Sequence, residues 1–452
     1  MSVSKKGEQT VKKLFPIPFI IVLVSALILG GCAKPVPPAP EEIRIGACES
    51  ATGAYSGFAT GGIFGMRAAV ADINKLGGVY VEEYGRKLPV KLIVVDNESD
   101  PAKAGTLAED LILRDKVHLL VNSPGPATLF NPQAAVSTRH KIPYLAGFGP
   151  VEPWQGARQE ASPPWEYTWG FGFAIAKPPP PDDFRYGKPG YTIMDTWFEF
   201  MDMFGDQTNK KVAVFASDDA DGRGWYATFP GELEKRGYDV VGEERMLGMS
   251  PIGTTDFSAM IKEWKDNNCE VMWGNHTPPD FGTMWRQCHT MGYRPKMCLV
   301  AKAPLFFEDV SAWGGELPQG VAVERWWDPA YPADVCPGIG DRTAKMLFEE
   351  WGKPLNQGIG WGYVPMQILF DAIERAGTLD GDAVNKAIGE TDMMTISHRA
   401  VFTEEEHHCR LPLTFGQWMK VDKPWVWECP IVLSVHDWVK ATDKPVFPLP
   451  TK

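Results

Sequence analysis

From Ile43 onward the chain alternates short apolar runs with helix-length amphipathic ones, and no other feature narrows its possible folds as far. Ile43-Arg44-Ile45-Gly46 reads as a strand, followed by a glycine-rich loop through Gly62. Between Ile63 and Leu76, the residues Ile63, Met66, Val70 and Ile73 share one helical face, and Gly77-Gly78 closes the run. Val90 to Val95 is nearly continuous in apolar residues, as a strand covered on both faces requires. Asp100-Pro101 opens a helix through Ala104, Leu107, Leu111 and Ile112, and Val117 to Val121 is the next strand. Thr128 to His140 reads as helix and Pro143-Tyr144-Leu145-Ala146 as strand. Such a βαβαβαβ series folds as a parallel, doubly wound sheet.

Residues 155–190, with Trp165, Trp169 and the run Pro178 to Pro181, break the rhythm; so long a break marks a functional loop or a domain crossing. The alternation then restarts. Lys211 to Ala216, Tyr238 to Val241, Val271 to Trp273 and Met297 to Val300 read as strands. Trp225 to Arg236, Phe257 to Asn267 and Phe281 to Met291 read as the helices between them. Met366 to Ala376 and Asp382 to Ile388 are two late helices, and Arg399 to Val439 is β-rich and aromatic. The expected fold class is α/β, with two doubly wound parallel-sheet lobes and a cleft between them. Ligands of open α/β sheets lie beyond the carboxyl ends of the strands. The loops after Ile45, Val121, Leu145, Ala216, Trp273 and Val300 meet there.

The first forty residues place this body. Four lysines and one glutamate precede an apolar run, Phe15 to Leu29, which ends at Leu29-Gly30-Gly31-Cys32 before a proline-rich stretch, Pro35 to Pro40. Basic start, apolar middle and small-residue exit are the marks of an export signal. Pro18 interrupts the run, which falls short of the roughly 20 apolar residues a spanning helix needs. Leu-Gly-Gly-Cys resembles the lipobox of bacterial and archaeal lipoproteins. That resemblance implies a signal peptide over 1–31, Cys32 as the lipidated N-terminus, and a tether over 32–42. The alternative is an uncleaved signal anchor with an incidental cysteine. Either way the body works outside the cytoplasm, in the periplasm or at the cell surface, tethered to a membrane. Removing residues 1–31 moves the formal charge from −12 to −15, which argues against nucleic acid or an anionic lipid face as partner.

Seven cysteines remain after Cys32, an odd number that leaves at least one thiol free in an oxidising compartment. Cys409 and Cys429 lie on two apolar-rich segments that could form a hairpin and are the first candidate bridge; Cys269 and Cys298, opening successive strands, are the second. No C-x-x-C pair supports structural zinc.

Further residues carry a family likeness. Ile43 to Gly46, Thr52-Gly53-Ala54-Tyr55, Ala71-Asp72-Ile73-Asn74 with Gly77-Gly78, Asp96-Asn97, Asp100-Pro101-Ala102 and Ile142 to Gly149 occur in a characteristic order. Asp256-Phe257-Ser258 and Met291-Gly292-Tyr293 continue it. Over residues 43–435 the chain resembles the type I periplasmic solute-binding proteins of ABC importers, in the branched-chain amino acid and amide branch. The resemblance implies lobes of 43–158 plus 327–394 and 159–326 plus 395–440, joined by three hinge strands, with a tail at 441–452. It further implies closure on a small-molecule ligand, delivery to an ABC permease in the membrane, a monomer, and neither cofactor nor chemistry.

It also implies a site. In relatives that bind amino acids, first-lobe hydroxyls and backbone N–H groups hold the α-carboxylate. Here the loop from Asn122 to Thr128 matches, which makes Ser123, Gly125 and Thr128 candidates at a helix N-terminus; Thr128 would serve equally as a cap. Gly147-Phe148-Gly149-Pro150 matches the second carboxylate loop, with Pro150 where relatives carry a threonine. Across the cleft, Lys302 stands where relatives often place an acid and favours a negative or carbonyl group, or else is a solvated loop lysine. Asp218, Asp219 and Asp221 could meet a cation or form a capping turn. Tyr55, Ser56, Phe58 and Phe148 from the first lobe, Trp225 and His276 from the second, and Trp326 from the hinge complete the expected site. The set favours an apolar or aromatic carboxylate or amide over a plain α-amino acid.

Other chemistries find less support. Gly-x-Ser-x-Gly, His-Glu-x-x-His and P-loop patterns are absent from the sequence. Gly57 to Gly62 lacks dinucleotide spacing and reads as a tight strand-to-helix turn. Glu404-Glu405-Glu406-His407-His408-Cys409 could hold a metal, but reads better as a charged hairpin tip. A sensor of the same fold would carry a transmembrane or signalling segment beyond the second lobe, and none follows Val439.

Overall fold

The computed structural model describes residues 1–4, 7, 38–242 and 248–450. The expected lipobox with Cys32, and the apolar run before it, lie outside the described residues.

The first sheet is built as the alternation requires. Strand β1 (Ile43–Glu49) leads into α1 (Ser56–Lys75), β2 (Val90–Asp96), α2 (Pro101–Leu113), β3 (Leu119–Gly125), α3 (Ala127–His140), β4 (Tyr144–Phe148), α4 (Val151–Glu160) and β5 (Thr168–Gly172). All five strands run parallel, in the order β5-β4-β3-β1-β2. Start signals act as expected at α2, where the Asp100 carboxylate accepts from Ala102 N–H at 2.8 Å and proline occupies the first turn.

The second sheet follows with α5 (Ile193–Asp202), β6 (Lys211–Ser217), α6 (Ala220–Lys235), β7 (Val271–His276), α7 (Pro278–Thr290), β8 (Met297–Lys302) and β9 (Ala322–Arg325). Strands β6 to β9 are parallel, and each places its carboxyl end toward the first sheet's loops through the residues described below. The chain then returns through α8 (Gly358–Ala376), which packs on α1. Three additions, β10 (Asp392–Thr395), β11 (His398–Thr403) and β12 (His408–Arg410), extend the first sheet beyond β5; they are antiparallel to one another, and β12 runs parallel to β5. Strands β13 (Thr414–Gln417) and β14 (Ile431–Leu433) extend the second beyond β9. The chain thus passes between the sheets three times, after β5, after β9 and after β12.

Two of the expected lobe limits move. The first sheet keeps the chain until Gly172 rather than 158, because Thr168 to Gly172 is a fully buried strand inside the segment read as a crossing. It also holds 395–410, assigned from sequence to the second lobe, because β12 pairs in parallel with β5.

The glycines of 57–62 do not form a turn. They are helical, and α1 begins two turns earlier than the apolar spacing indicates. Their smallness serves contact: a Cβ on Gly62 would lie 2.1 Å from Ser123 Cβ, and one on Gly65 2.0 Å from Ile359 O. Opposite them, a Cβ on Gly362 would lie 2.1 Å from Gly62 O. Helices α1 and α8 therefore meet backbone to backbone. A buried ion pair seals the far end of this contact. Arg342 Nε and Nη2 donate to Asp72 at 2.7 and 2.8 Å, and Tyr363 Oη donates to the same carboxylate at 2.9 Å.

Neither expected disulfide forms. Cys409 sits in β12 of the first sheet and Cys429 beside β14 of the second, because the chain changes sheets between them. Cys298 is in register with Met272, three residues past Cys269, so that pair does not face either. All seven described cysteines are free and buried. The Glu404–Cys409 run is likewise not a solvated tip. Glu406 is buried and accepts from Arg410 Nε at 3.0 Å, while the buried His408 Nε2 lies 3.0 Å from Phe148 O; only Glu404 and Glu405 are exposed.

Two outcomes follow from this packing. Gly362→Ala forces α1 and α8 apart and lowers stability by about 2 kcal/mol, seen as an earlier urea midpoint; an unchanged midpoint would show the contact to be loose. A thiol reagent labels none of the seven cysteines in the native protein and all of them in denaturant, and dithiothreitol leaves Tm unchanged.

Candidate functional site

The carboxyl ends of both sheets converge on a cavity whose space open to the centre of a water molecule is about 50 Å³. A single water needs roughly 10–15 Å³ by that measure, so the cavity has room for a small solute. The lobes touch on both of its rims: α3 and α4 lie against α6, and the Phe58 and Phe306 rings stand edge to face at 4.8 Å.

Its walls differ sharply by lobe. The first lobe contributes Phe58, Pro124, Gly125, Pro126, Ala127, Gly147, Phe148, Gly149 and Pro150, with Phe173 and Trp361 beside them. No charged, hydroxyl or amide side chain is among these. The second lobe and the hinge contribute Asp221, Trp225, Asn275, Ala301, Lys302, Leu305, Glu324 and Trp326. Trp326 stacks on Trp361 at 4.7 Å, and Phe173 approaches Trp225, Trp326 and Trp361 at 6.0–6.4 Å, forming one aromatic wall.

Lys302 closes β8 and is buried, not solvated. Its Nζ lies 2.8 Å from an Asp221 oxygen and 3.6 Å from Asp219. The contact is an ion pair rather than a well-directed hydrogen bond, and Nζ has no other partner among the described residues. Burial works against its charge, but Asp221 and Asp219 more than offset this and hold its pKa above the ordinary lysine value. Ala303 N–H donates to Ala301 O at 2.8 Å, closing a γ-turn centred on Lys302 with φ +70°. This is the rare, strained form for a residue with a side chain, and strain of this kind costs about 1–3 kcal/mol. The three aspartates therefore do not form a free cationic subsite. Asp219 caps α6 through Gly222 N–H at 2.6 Å, Asp221 accepts from Trp225 Nε1 at 3.1 Å, and Asp218 binds Arg223 at 2.7 Å.

Of the residues expected from sequence, Phe58, Gly125, Phe148, Gly149, Asp221, Trp225, Lys302 and Trp326 come together on the cavity wall. Ser123 does not: its Oγ donates to Glu49 Oε2 at 2.6 Å and its N–H to Oε1 at 2.8 Å, inside the first lobe. Glu49, wholly buried, captures the hydroxyl that was expected to meet a ligand. Thr128 sits in the first turn of α3 off the wall, and the cap position belongs to Pro126, which has no side-chain donor or acceptor. Ser56 opens α1 away from the wall. Tyr55 lines a smaller space behind it with Glu49 and Asn97, within electrostatic reach of Lys302. His276 spends both ring nitrogens on the second lobe, Nδ1 accepting from Thr277 N–H at 3.0 Å and Nε2 paired with Ser250 Oγ at 2.8 Å; burial, then Lys302, lowers its pKa to about 3.

Sequence reasoning missed Asn275 and Glu324. Asn275 closes the apolar run of β7, and its Oδ1 has no hydrogen-bond partner among the described residues. Glu324 ends the apolar run Val321-Ala322-Val323 and is 1% exposed. Burial raises its pKa to about 8, although the indole N–H groups of Trp197 and Trp326 favour its charged form; among the described residues its Oε2 has no well-directed hydrogen bond. A charged residue within an apolar strand was the available signal. Among the described residues, no group of three or more His, Cys, Asp and Glu side chains is placed to hold a metal, and no helix is long and apolar enough to cross a membrane.

Two parallel-dominated sheets joined by three crossings, with the cavity between their carboxyl ends, define a type I periplasmic-binding-protein fold. The chain belongs to the periplasmic binding protein family, whose model matches residues 42–423. Its structure is similar to a leucine-binding protein of Thermotoga maritima, at 17% identity and TM-score 0.66, over 87% of this chain and 99% of that one. It is also similar to a branched-chain amino acid transporter substrate-binding protein of Streptococcus pneumoniae in complex with isoleucine (15%, TM-score 0.62, 86% and 99%). A third match is an ABC transporter solute-binding protein of Rhodopseudomonas palustris in complex with 3,4-dihydroxybenzoic acid (18%, TM-score 0.63, 89% and 99%). At these identities the structural likeness shows the fold. No curated protein matches the sequence.

The raised pKa of Glu324 sets a pH dependence. Below the ordinary glutamate value of 4.5, folded and unfolded chains both hold its proton and it contributes no slope. As pH rises from there to about 8, the unfolded chain releases a proton that the folded chain retains, so stability falls across that window. Glu49 and Asp309, each raised to about 7 by burial, act in the same direction. Glu324→Gln holds no such proton, so its Tm advantage over the parent grows between pH 5 and pH 8. A difference in Tm that stays constant across the range would contradict the burial assigned to this carboxyl.

Proposed function

We propose that this chain is the extracytoplasmic, lipid-anchored solute-binding component of an ABC importer. It captures a small apolar or aromatic solute between its lobes and passes it unchanged to a membrane permease. The observation that carries the proposal is the cavity itself, an aromatic enclosure at the carboxyl ends of two sheets, with a few buried polar groups and both rims in contact. Family membership supports the binding role. Isoleucine in one relative and a dihydroxybenzoic acid in another support a solute of that size with an apolar body.

The three chain crossings, near 172–193, 325–358 and 410–414, act as the hinge. With the lobes apart, the aromatic wall opens to solvent; a solute that touches both lobes favours the closed arrangement by its differential affinity. The acid-rich body is held at the membrane by lipid on Cys32, acts as a monomer, and has no cofactor or nucleic-acid partner in this account.

Native mass spectrometry of the purified protein carries a small-molecule adduct that is lost on gentle unfolding and refolding. Gly149→Phe, whose side chain would enter the cavity, removes that adduct while far-UV circular dichroism is unchanged. Rebinding reduces the radius of gyration in solution scattering. An adduct that survives Gly149→Phe, or a radius indifferent to it, would move binding away from the cleft. Cys32→Ser in turn shifts the protein from the detergent phase to the aqueous phase; unchanged partitioning would refute the anchor.

A further inference from the structure

The cavity is polarised in a way that narrows what it can take. Four buried polar atoms on its wall have no well-directed hydrogen bond among the described residues, and all come from the second lobe or the hinge: Asn275 Oδ1, Lys302 Nζ (ion-paired with Asp221), Glu324 Oε2 and Trp326 Nε1. Asn275 Oδ1 accepts, Lys302 Nζ and Trp326 Nε1 donate, and the Glu324 carboxyl, which keeps its proton to about pH 8, can do either. The first lobe, which faces them, presents aromatic rings, glycines and prolines. Pro124, Pro126 and Pro150 also remove three backbone N–H groups from the loops where an anion would be held.

A buried donor or acceptor left unmatched is unfavourable, so a bound solute should answer both kinds. A carboxylate has no donor for Asn275 Oδ1, and it would add a negative charge beside Asp221 and Asp219, which already outnumber the single positive charge of Lys302. An ammonium has no acceptor to offer Lys302 Nζ or Trp326 Nε1. A neutral head with N–H and C=O together satisfies both sets.

We infer that the second lobe holds the solute's polar head, that this head is a neutral donor-and-acceptor group of the carboxamide kind, and that the apolar body lies against the first lobe. This inference rests on the cavity being the solute site and specifies which chemistry that site reads.

The test is calorimetric titration of the ligand-stripped full chain with matched heads on two bodies: benzamide, benzoate and benzylamine, and isovaleramide, isovalerate and isopentylamine. On whichever body fits, the amide binds at least tenfold more tightly than its carboxylate and amine, since tenfold corresponds to one strong hydrogen bond gained. Glu324→Leu weakens amide binding about tenfold, whereas Glu324→Gln, which keeps an acceptor and a donor, stays within a few-fold of the parent. Should Glu324→Leu fail to fold, Asn275→Leu supplies the same comparison. A carboxylate or amine that binds more tightly than its amide, with binding abolished by Gly149→Phe, overturns the inference and leaves the cavity as the solute site. Heat from any ligand that survives Gly149→Phe overturns both. Silence from all six also counts against the inference, because two bodies of different shape carry the same three heads.

Discussion

The arrangement of the cleft depends on one contact, the approach of α1 to α8 at backbone distance. Gly62, Gly65 and Gly362 allow it, since any side chain at these positions would occupy the neighbouring helix's carbonyls or Ser123. The consequence reaches the cavity from both helices. Phe58 stands one turn before Gly62 on α1, and Trp361 stands beside Gly362 on α8, so the crossing fixes two walls of the enclosure. The residues just ahead of α8 extend the same control to the hinge. Asn356 Nδ2 donates to Gly57 O at 2.9 Å, Gln357 Oε1 accepts from Trp326 N–H at 2.7 Å, and Gln357 Nε2 donates to Leu305 O at 3.2 Å. A glycine contact in the first lobe thus sets the position of the hinge tryptophan and touches the second lobe's loop. Buried side-chain amides of this kind are favourable only with their partners in place.

The second constraint is electrostatic. Lys302 sits in a strained turn, buried, opposite two aspartates that are both anchored on α6. Strain persists where surrounding structure over-determines it, and here the fixed ammonium does so. Because Asp221 also holds Trp225 through its indole N–H, one ion pair orients both the lysine and an aromatic wall. Removing either charge would leave the other buried without compensation, which is more damaging than the pair is stabilising.

Much of the fold was legible in the sequence because parallel strands buried on both faces must be continuous in apolar residues, while their helices keep a 3.6-residue rhythm. What was not legible depended on distant partners. Gly57 to Gly62 look like a turn locally, and only Asn356, Ile359 and Gly362, about three hundred residues away, show why a helix there must be glycine-rich. Ser123 and Thr128 matched a carboxylate loop in order and spacing, yet the buried Glu49 claims the serine and a proline takes the cap. The same logic moved the lobe limits: strand β5 hides within a proline- and tryptophan-rich stretch, and the edge it offers to β12 cannot be seen from either segment alone. Aromatic cleft residues fared better, since Phe58, Phe148, Trp225 and Trp326 follow strands or hinges whose positions the alternation sets.

Closure of such a cleft is a balance, and this one has an unusual composition on its closed side. Edge-to-face contact of Phe58 with Phe306 joins the lobes with apolar surface and needs no ligand. On that rim the closed form gains from burial of aromatic area, a term of about 25 cal/mol per Å². Against it stand Asn275 Oδ1, Glu324 Oε2 and Trp326 Nε1, buried without hydrogen-bond partners among the described residues. Each carries a penalty of about 1–3 kcal/mol, so their sum is comparable to what a pair of buried rings provides. An empty closed state is therefore held near balance rather than locked. On the proposed function, a solute that supplies the missing partners removes the penalty only in the closed state, and that differential couples binding to closure. On the same reading, the unpartnered polar atoms of the second lobe and hinge, which cost the empty protein stability, are the part of the cavity that makes closing depend on its contents.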